Sequence, residues 1–350
     1  MTFLRTSAVA LGVALLTPTL SHAFCVQPSV DSRLQVYCMS SLLAWTATNV
    51  ESALALDYRL KREGYSRGIG LPNRVKRLTF SPYISPVLEY SSDINGGNPN
   101  RPLVLGSLSF FGDDAFFRKN GVVAGVGFGG SGRALYGEGK YLDFSMGVSY
   151  AHSPELDIGI ARGFANICSK NDIGKNFYID GCLSTSRLNR DLADETTTST
   201  TLSVAKLFSE SDKRFNQVSL GIRRLFEDEF QQNQVVVKMD TLHNGDFYTS
   251  LNASFGETVT NTLTMRYSLE YIVGTTLFSK PIATSVSYSF SDGGQLLGFS
   301  REETTKFFNI VYTIHPSVNI SVGYSQIVSS INYFNESGAI FGVQFAPIRF

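Results

Sequence analysis

Few side chains in this sequence could do acid, base or nucleophilic chemistry. Downstream of residue 23 there are three histidines, His152, His243 and His315. No G-x-S-x-G nucleophile turn occurs, and no H-E-x-x-H zinc signature. His315-Pro316-Ser317 has a spacing that puts both side chains on one strand face, where the imidazole could deprotonate the hydroxyl. Pro316 between them points instead to a tight turn, and no carboxylate is placed to orient the base. His152-Ser153-Pro154-Glu155 also reads as a hairpin turn. Asp240 and His243 form an acid–imidazole pair that nothing else supports. The expectation is a protein without catalysis and without a cofactor.

Four cysteines, Cys25, Cys38, Cys168 and Cys182, allow three pairings. The sequence-local pairing, Cys25 with Cys38 and Cys168 with Cys182, closes two short loops and is favoured. A zinc site is disfavoured, since there is no C-x-x-C and no cysteine–histidine cluster. Two charged groups remain. Arg223, Arg224, Glu227, Asp228 and Glu229 form a mixed cluster near one strand end, and Arg74, Lys76 and Arg77 form a basic run. Opposed lumen charges set selectivity in a pore, while the plainer reading of such runs is a solvated turn.

The compartment is read from the N-terminus. Residues 1–23 have the form of a secretory signal: Arg5, an apolar run from Ala8 to Leu16, and Ser21-His22-Ala23 at a cleavage site. Ala23-Phe24 before Cys25 is a poor context for lipid attachment. Export makes disulfides plausible. Removing Arg5 leaves 29 basic against 30 acidic residues, so no surplus charge points to nucleic acid. No later stretch reaches the ~20 apolar residues of a membrane helix. The chain has 26 Phe, 16 Tyr and 31 Gly but one Trp, the composition of an exported chain rich in strands.

From residue 74 the sequence alternates. Leu78, Phe80, Pro82, Ile84, Pro86, Leu88 and Tyr90 share one face of 77–90, against Arg77, Thr79, Ser81, Tyr83, Ser85 and Glu89, with Val87 the exception. Period 2 over that length excludes a helix. The two prolines predict a barrel seam or bulge. The pattern recurs over 142–150, 263–273, 282–290 and 308–314. Turn residues at 92–97, 243–246, 291–294 and 315–317 predict hairpins. A sandwich strand also alternates. Three features favour a membrane barrel: tyrosines at strand ends, Ser, Thr and Gly on the polar face, and the ending. Residues 338–350 form a last strand with Ile348 and the terminal Phe350, the kind of signal that outer-membrane barrel assembly machinery reads; Gln344 and Pro347 depart from its alternation. About fifteen alternating runs, and the even strand numbers of bacterial barrels, predict 14 strands, with 16 next.

Residues 24–73 are expected to be a periplasmic or plug segment. Asn49 to Arg62 reads as a helix with Asn49 as N-cap and Gly64 as its stop. The same residues also alternate, and a strand there would enlarge the barrel.

Residues 82–97, Pro-Tyr-Ile-Ser-Pro-Val-Leu-Glu-Tyr-Ser-Ser-Asp-Ile-Asn-Gly-Gly, together with Ser330-Ile331-Asn332-Tyr333-Phe334 and the Phe350 strand, are similar to the barrel domain of surface lipoprotein assembly modifiers. The resemblance implies a 14-stranded barrel that helps move lipoproteins or small secreted proteins to the cell surface. That family carries a helical-repeat domain before the barrel, where this chain has only residues 24–73.

The sequence thus predicts an all-β, transmembrane, antiparallel up-and-down barrel over 74–350 in the outer membrane of a Gram-negative bacterium. A passive, porin-like channel for small solutes is the leading function. A translocation barrel for a surface lipoprotein or small secreted protein is the alternative, and a lipid-acting barrel hydrolase comes third.

Overall fold

A computed structural model describes Cys25 and residues 30–45, 50–65, 78–98, 103–105, 108–211, 213–243, 247–346 and 348–349. The signal region, Arg74, Lys76, Arg77 and Phe350 lie outside the described residues. Two helices come first, α1 (Ser32–Trp45) and α2 (Val50–Arg62). The barrel strands follow: β1 (Leu78–Ser91), β2 (Gly121–Gly137), β3 (Lys140–Ser153), β4 (Ile158–Gly174) and β5 (Phe177–Asn189). The wall continues with β6 (Asp194–Ser211), β7 (Arg214–Glu227), β8 (Gln231–His243), β9 (Phe247–Gly256) and β10 (Thr264–Leu277). It ends with β11 (Lys280–Leu296), β12 (Phe299–His315), β13 (Val318–Ser329) and β14, which runs Glu336–Phe345, breaks, and resumes at Ile348–Arg349.

Each strand pairs antiparallel with its sequence neighbours, and both parts of β14 pair back onto β1, so 14 strands close. The seam is the least paired contact of the wall. β1 meets β2 along its whole length, from Leu78 with Ala134 to Ser91 with Gly121. It meets β14 only at Val87–Tyr90 and Tyr83–Ile84. Pro86 and the break before Ile348 fall between those two stretches, as the missing proline N–H groups require.

The faces settle the solvent. Val148 and Ile222 are 62% and 63% exposed, on the outside, along with Leu78, Phe128, Val286 and Phe341. A dry sandwich would bury this face; a barrel turns it to lipid. In lipid every backbone N–H and C=O must be satisfied internally, which a closed barrel achieves. The chain is therefore a membrane-spanning barrel of the bacterial outer-membrane type. Val87, the exception in the β1 pattern, points inward and packs with Ile94.

Connections at the end where β1 begins are short. Lys175-Asn176 and Phe278-Ser279 both have positive φ at the two central positions, the turn geometry whose twist matches adjacent strands. At the opposite end residues 92–120 form a long first loop, so by the usual asymmetry that end is extracellular. Two predicted hairpins are corrected here. Residues 92–97 begin the inward-folded loop and do not close a hairpin. Residues 291–294 lie inside β11 as a bulge, and Leu297-Gly298 makes the turn. Following the register once around the wall returns to β1 about 16 residues from the start, which gives strands tilted near 40° and a backbone diameter of roughly 26 Å. A helix with its side chains is about 10 Å across, so two of them fill much of that bore.

Candidate functional site

The periplasmic half of the lumen holds α1 and α2. Asp31 caps α1, its Oδ1 accepting the Arg33 N–H at 3.0 Å. Leu34, Cys38 and Met39 are buried against Tyr178, Leu207, Phe215, Leu242 and Tyr248, which project inward from β5 to β9. Cys25 is bonded to Cys38, tying the chain before α1 onto the helix. α2 ends where Gly64 takes φ +85° and the Tyr65 N–H reaches back to the Leu60 carbonyl. Arg59 donates to Gln35 at 2.6 Å and joins the two helices. Sequence reasoning found α2 but missed α1. The N-cap Asp31 was its visible signal.

Four charges lock this plug to the wall. Lys170 on β4 and Asp180 on β5 sit directly opposite each other. Lys170 donates to Asp31 at 2.8 Å, and Arg33 grips Asp180 with two bonds of 2.8 and 2.6 Å. Each wall charge thus meets its opposite on α1. Burial works against the Asp31 carboxylate, but Arg33 and Lys170 outweigh it and hold its pKa well below the usual range. Burial likewise opposes the Arg33 charge, and Asp31 with Asp180 reverses that effect. Directly above the quartet, Cys168 and Cys182 form the second disulfide across β4 and β5. A second latch joins Glu63, just beyond α2, to Arg133 on β2, itself paired with Asp143 on β3. Tyr65 donates to Asp172 at 2.5 Å, and burial raises its pKa further.

The extracellular mouth is narrowed by the first loop. Ile94 is buried among Val123, Ala151, Ile158 and Ile160. Asp93 binds Arg190 at 2.7 Å, Asn95 donates to the Phe117 carbonyl, and Arg118 pairs with Glu336 on β14.

The plug covers only part of the wall. Its partners lie on β2 to β10. Beyond them, Ser287, Asn309, Ser325 and Gln344 face inward from β11 to β14 and stay partly or fully accessible. These are hydroxyls and amides. An accessible, mostly polar crescent remains beside the plug, with Glu270 and Phe307 flanking Ser287 on the neighbouring strands.

The charged cluster expected near β7 is split by the strand. Arg223 faces the lumen and donates to Thr201, while Arg224 faces outward over Phe226 and donates to Gln231. Asp228 and Glu229 are exposed in the turn after Glu227. The histidines stay apart from one another. His315 accepts from the Ser317 N–H in a turn, His152 stands 3.5 Å from Asp157, and His243 points away from buried Asp240, which binds Ser250. No group of three metal-ligating side chains occurs among the described residues. Ile348 pairs with Ile84 on β1.

No protein-family model matches the chain, and no curated protein matches it. Solved structures do. OccAB4 of Acinetobacter baumannii superposes with TM-score 0.40 at 8% identity, covering 80% of this chain and 100% of that one. The outer membrane protein OprD of Pseudomonas aeruginosa gives 0.39 at 5% identity, covering 80% and 96%. OpdK of the same organism gives 0.41 at 8%, covering 77% and 98%. These are likenesses of chain path at identities too low to carry a residue's role across.

Proposed function

We propose that the protein is a passive outer-membrane channel for small polar solutes, with α1 and α2 as a removable plug and the first loop as its outer constriction. The observation that carries this reading is the uneven lining. The wall under the plug is buried and taken up by an apolar cluster and the charged latches, whereas β11 to β14 present mostly accessible hydroxyl and amide side chains to the lumen. Polar pore linings with few fixed charges pass solutes without a catalytic step. The test is ion conductance of the full chain in planar bilayers. Steady or flickering unitary currents support the reading, and an electrically silent, correctly folded barrel refutes it.

A translocation role for a surface lipoprotein or small secreted protein is the second reading. It is favoured by one feature: the plug is a separate segment held by side-chain contacts, which a larger cargo would displace. Co-purification of a specific exported lipoprotein with the plug-latch variants, and not with a porin control, is its test. Insertion by the barrel assembly machinery through the C-terminal strand belongs to both readings.

A further inference from the structure

One register row crosses the open side of the bore. Read round the wall from β8 to β13, it runs Lys238, Asn252, Glu270, Ser287, Phe307 and Ser325. Ile272, the next lumen residue of β10 towards the periplasm, still packs against the cluster under the plug, so Glu270 stands just above it. Glu270 accepts the Asn252 side-chain amide at 2.9 Å on Oε2. No ion pair joins Glu270 to a described residue. The other acids facing the bore from β10 to β14 and β1 are each neutralised. Asp292 meets Arg266, Glu303 meets Arg301, Glu336 meets Arg118 and Glu89 meets Arg162. Lys238, on the far side of Asn252, is held by Asp240 at 2.8 Å. Arg223 is three strands from Glu270 and four residues nearer the mouth. That is roughly 20 Å by strand spacing and rise, beyond the ~8 Å screening length of physiological salt. Lys306 precedes Phe307 in the strand and so points to the lipid.

The row therefore carries one uncompensated negative charge beside an aromatic ring. Glu270 and Phe307 face the same lumen from either side of Ser287, and both are half-buried. Their backbones stand about 10 Å apart, the width of two strand spacings. A carboxylate steadied by one amide keeps its remaining lone pairs for a ligand. A phenyl face attracts a cation that comes within about 6 Å of it. A small organic ammonium meets both demands, with its charge towards Glu270 and its C–H groups towards Phe307. Calcium or magnesium ions take about six or more oxygens, and no group of three metal-ligating side chains occurs among the described residues. Anions meet repulsion from Glu270. We propose that the lumen holds a subsite for a small organic ammonium, with Glu270 as its counter-charge and Phe307 as its apolar face, and that Glu270 makes the channel prefer cations. The proposal names the solute class of the channel and rests on that reading for transport, though not for binding.

The experiment uses the full chain in detergent and in planar bilayers, with choline as the probe. Its neutral carbon isostere 3,3-dimethylbutan-1-ol and the anion 3,3-dimethylbutanoate are the controls. Choline is expected to bind, by saturation-transfer NMR titration, at least about tenfold more tightly than either, since it adds one charge pair and one cation–π contact. Glu270→Gln should weaken choline about fivefold, as loss of a unit charge at roughly 4 Å in water does. In a potassium chloride gradient the same substitution should bring a cation-to-anion permeability ratio of about three or more down to near one. Glu270→Asp should keep the ratio. Phe307→Leu should weaken choline about threefold and leave the ratio unchanged. Unaltered heat-modifiable gel mobility shows that each variant folds. Equal affinity for choline and its neutral isostere overturns the subsite, as does a Glu270→Gln protein that keeps the affinity or the ratio. Conductance without choline binding removes the subsite and leaves the channel. Choline binding in an electrically silent barrel removes the channel and leaves the subsite.

Discussion

Replacing Arg33 by alanine should unlatch the plug while leaving the barrel folded. The guanidinium is 3% exposed and makes both bonds to Asp180. Truncating one partner of a buried ion pair typically costs about 3–5 kcal/mol, because the other charge is left buried and unpaired. Lys170, directly opposite Asp180, recovers part of that loss, so the low end applies. About 3 kcal/mol is roughly a hundredfold change in the ratio of docked to released plug. Single-channel recording at neutral pH should therefore show the open-time fraction rising by about that factor until it saturates. Asp180→Asn should do much the same. The double variant should add little to Arg33→Ala, since both substitutions break the Arg33–Asp180 contact. An open fraction unchanged by Arg33→Ala, in protein that still folds, would refute the latch. So would fully additive effects of the two substitutions.

Acid should act through the same quartet. Asp31 faces Arg33 and Lys170, Asp180 shares Arg33 with it, and Lys238 and Tyr141 also act on the pair. Its docked pKa is depressed, so its contribution to docking is present above the free carboxylate value near 4 and is lost as pH falls below it. Open probability should be flat from about pH 8 to 5 and rise beneath about 4, which recordings across that range check. Gly274→Ala would place a Cβ 1.9 Å from the Tyr248 ring. The ring must leave its place against the plug, at a cost of about 1–3 kcal/mol, and protease sensitivity of residues 30–65 should increase. Serine at both Cys25 and Cys38 removes a link across 13 residues and should cost the plug about 3 kcal/mol of stability. Limited proteolysis should then cut the plug before the barrel. Equal resistance would show that the apolar contacts alone hold it.

Much of the wall is legible in the sequence because lipid and lumen impose opposite chemistry on alternate residues. Leu78, Phe80, Leu88 and Tyr90 read correctly as one face, and Val87 broke the pattern because it meets Ile94 at the mouth. The helix of α2 was legible from its stop at Gly64. α1 was not, because Leu34, Val36 and Cys38 are buried on several sides of the helix and leave no single apolar stripe. The quartet was invisible for a different reason. Its partners lie 139 and 147 residues apart, and only the closed register of β4 and β5 brings them together. The charged run near Arg223 misled because consecutive strand residues point to opposite faces, so Arg223 and Arg224 never share a surface. Asp-Gly-Gly at 292–294 carried turn chemistry that the strand used for a bulge.

The most direct test of the central claim is thiol labelling in intact outer membranes with a charged, membrane-impermeant reagent, on single cysteines placed at four positions. Ser287 and Asn309 face the accessible crescent, Val286 faces lipid, and Leu242 lies under the plug. Ser287→Cys and Asn309→Cys should label, while Val286→Cys and Leu242→Cys should not, with Leu242→Cys becoming reactive when Arg33→Ala is added. Labelling at Val286 with protection at Ser287 and Asn309 would turn the wall inside out and contradict the account.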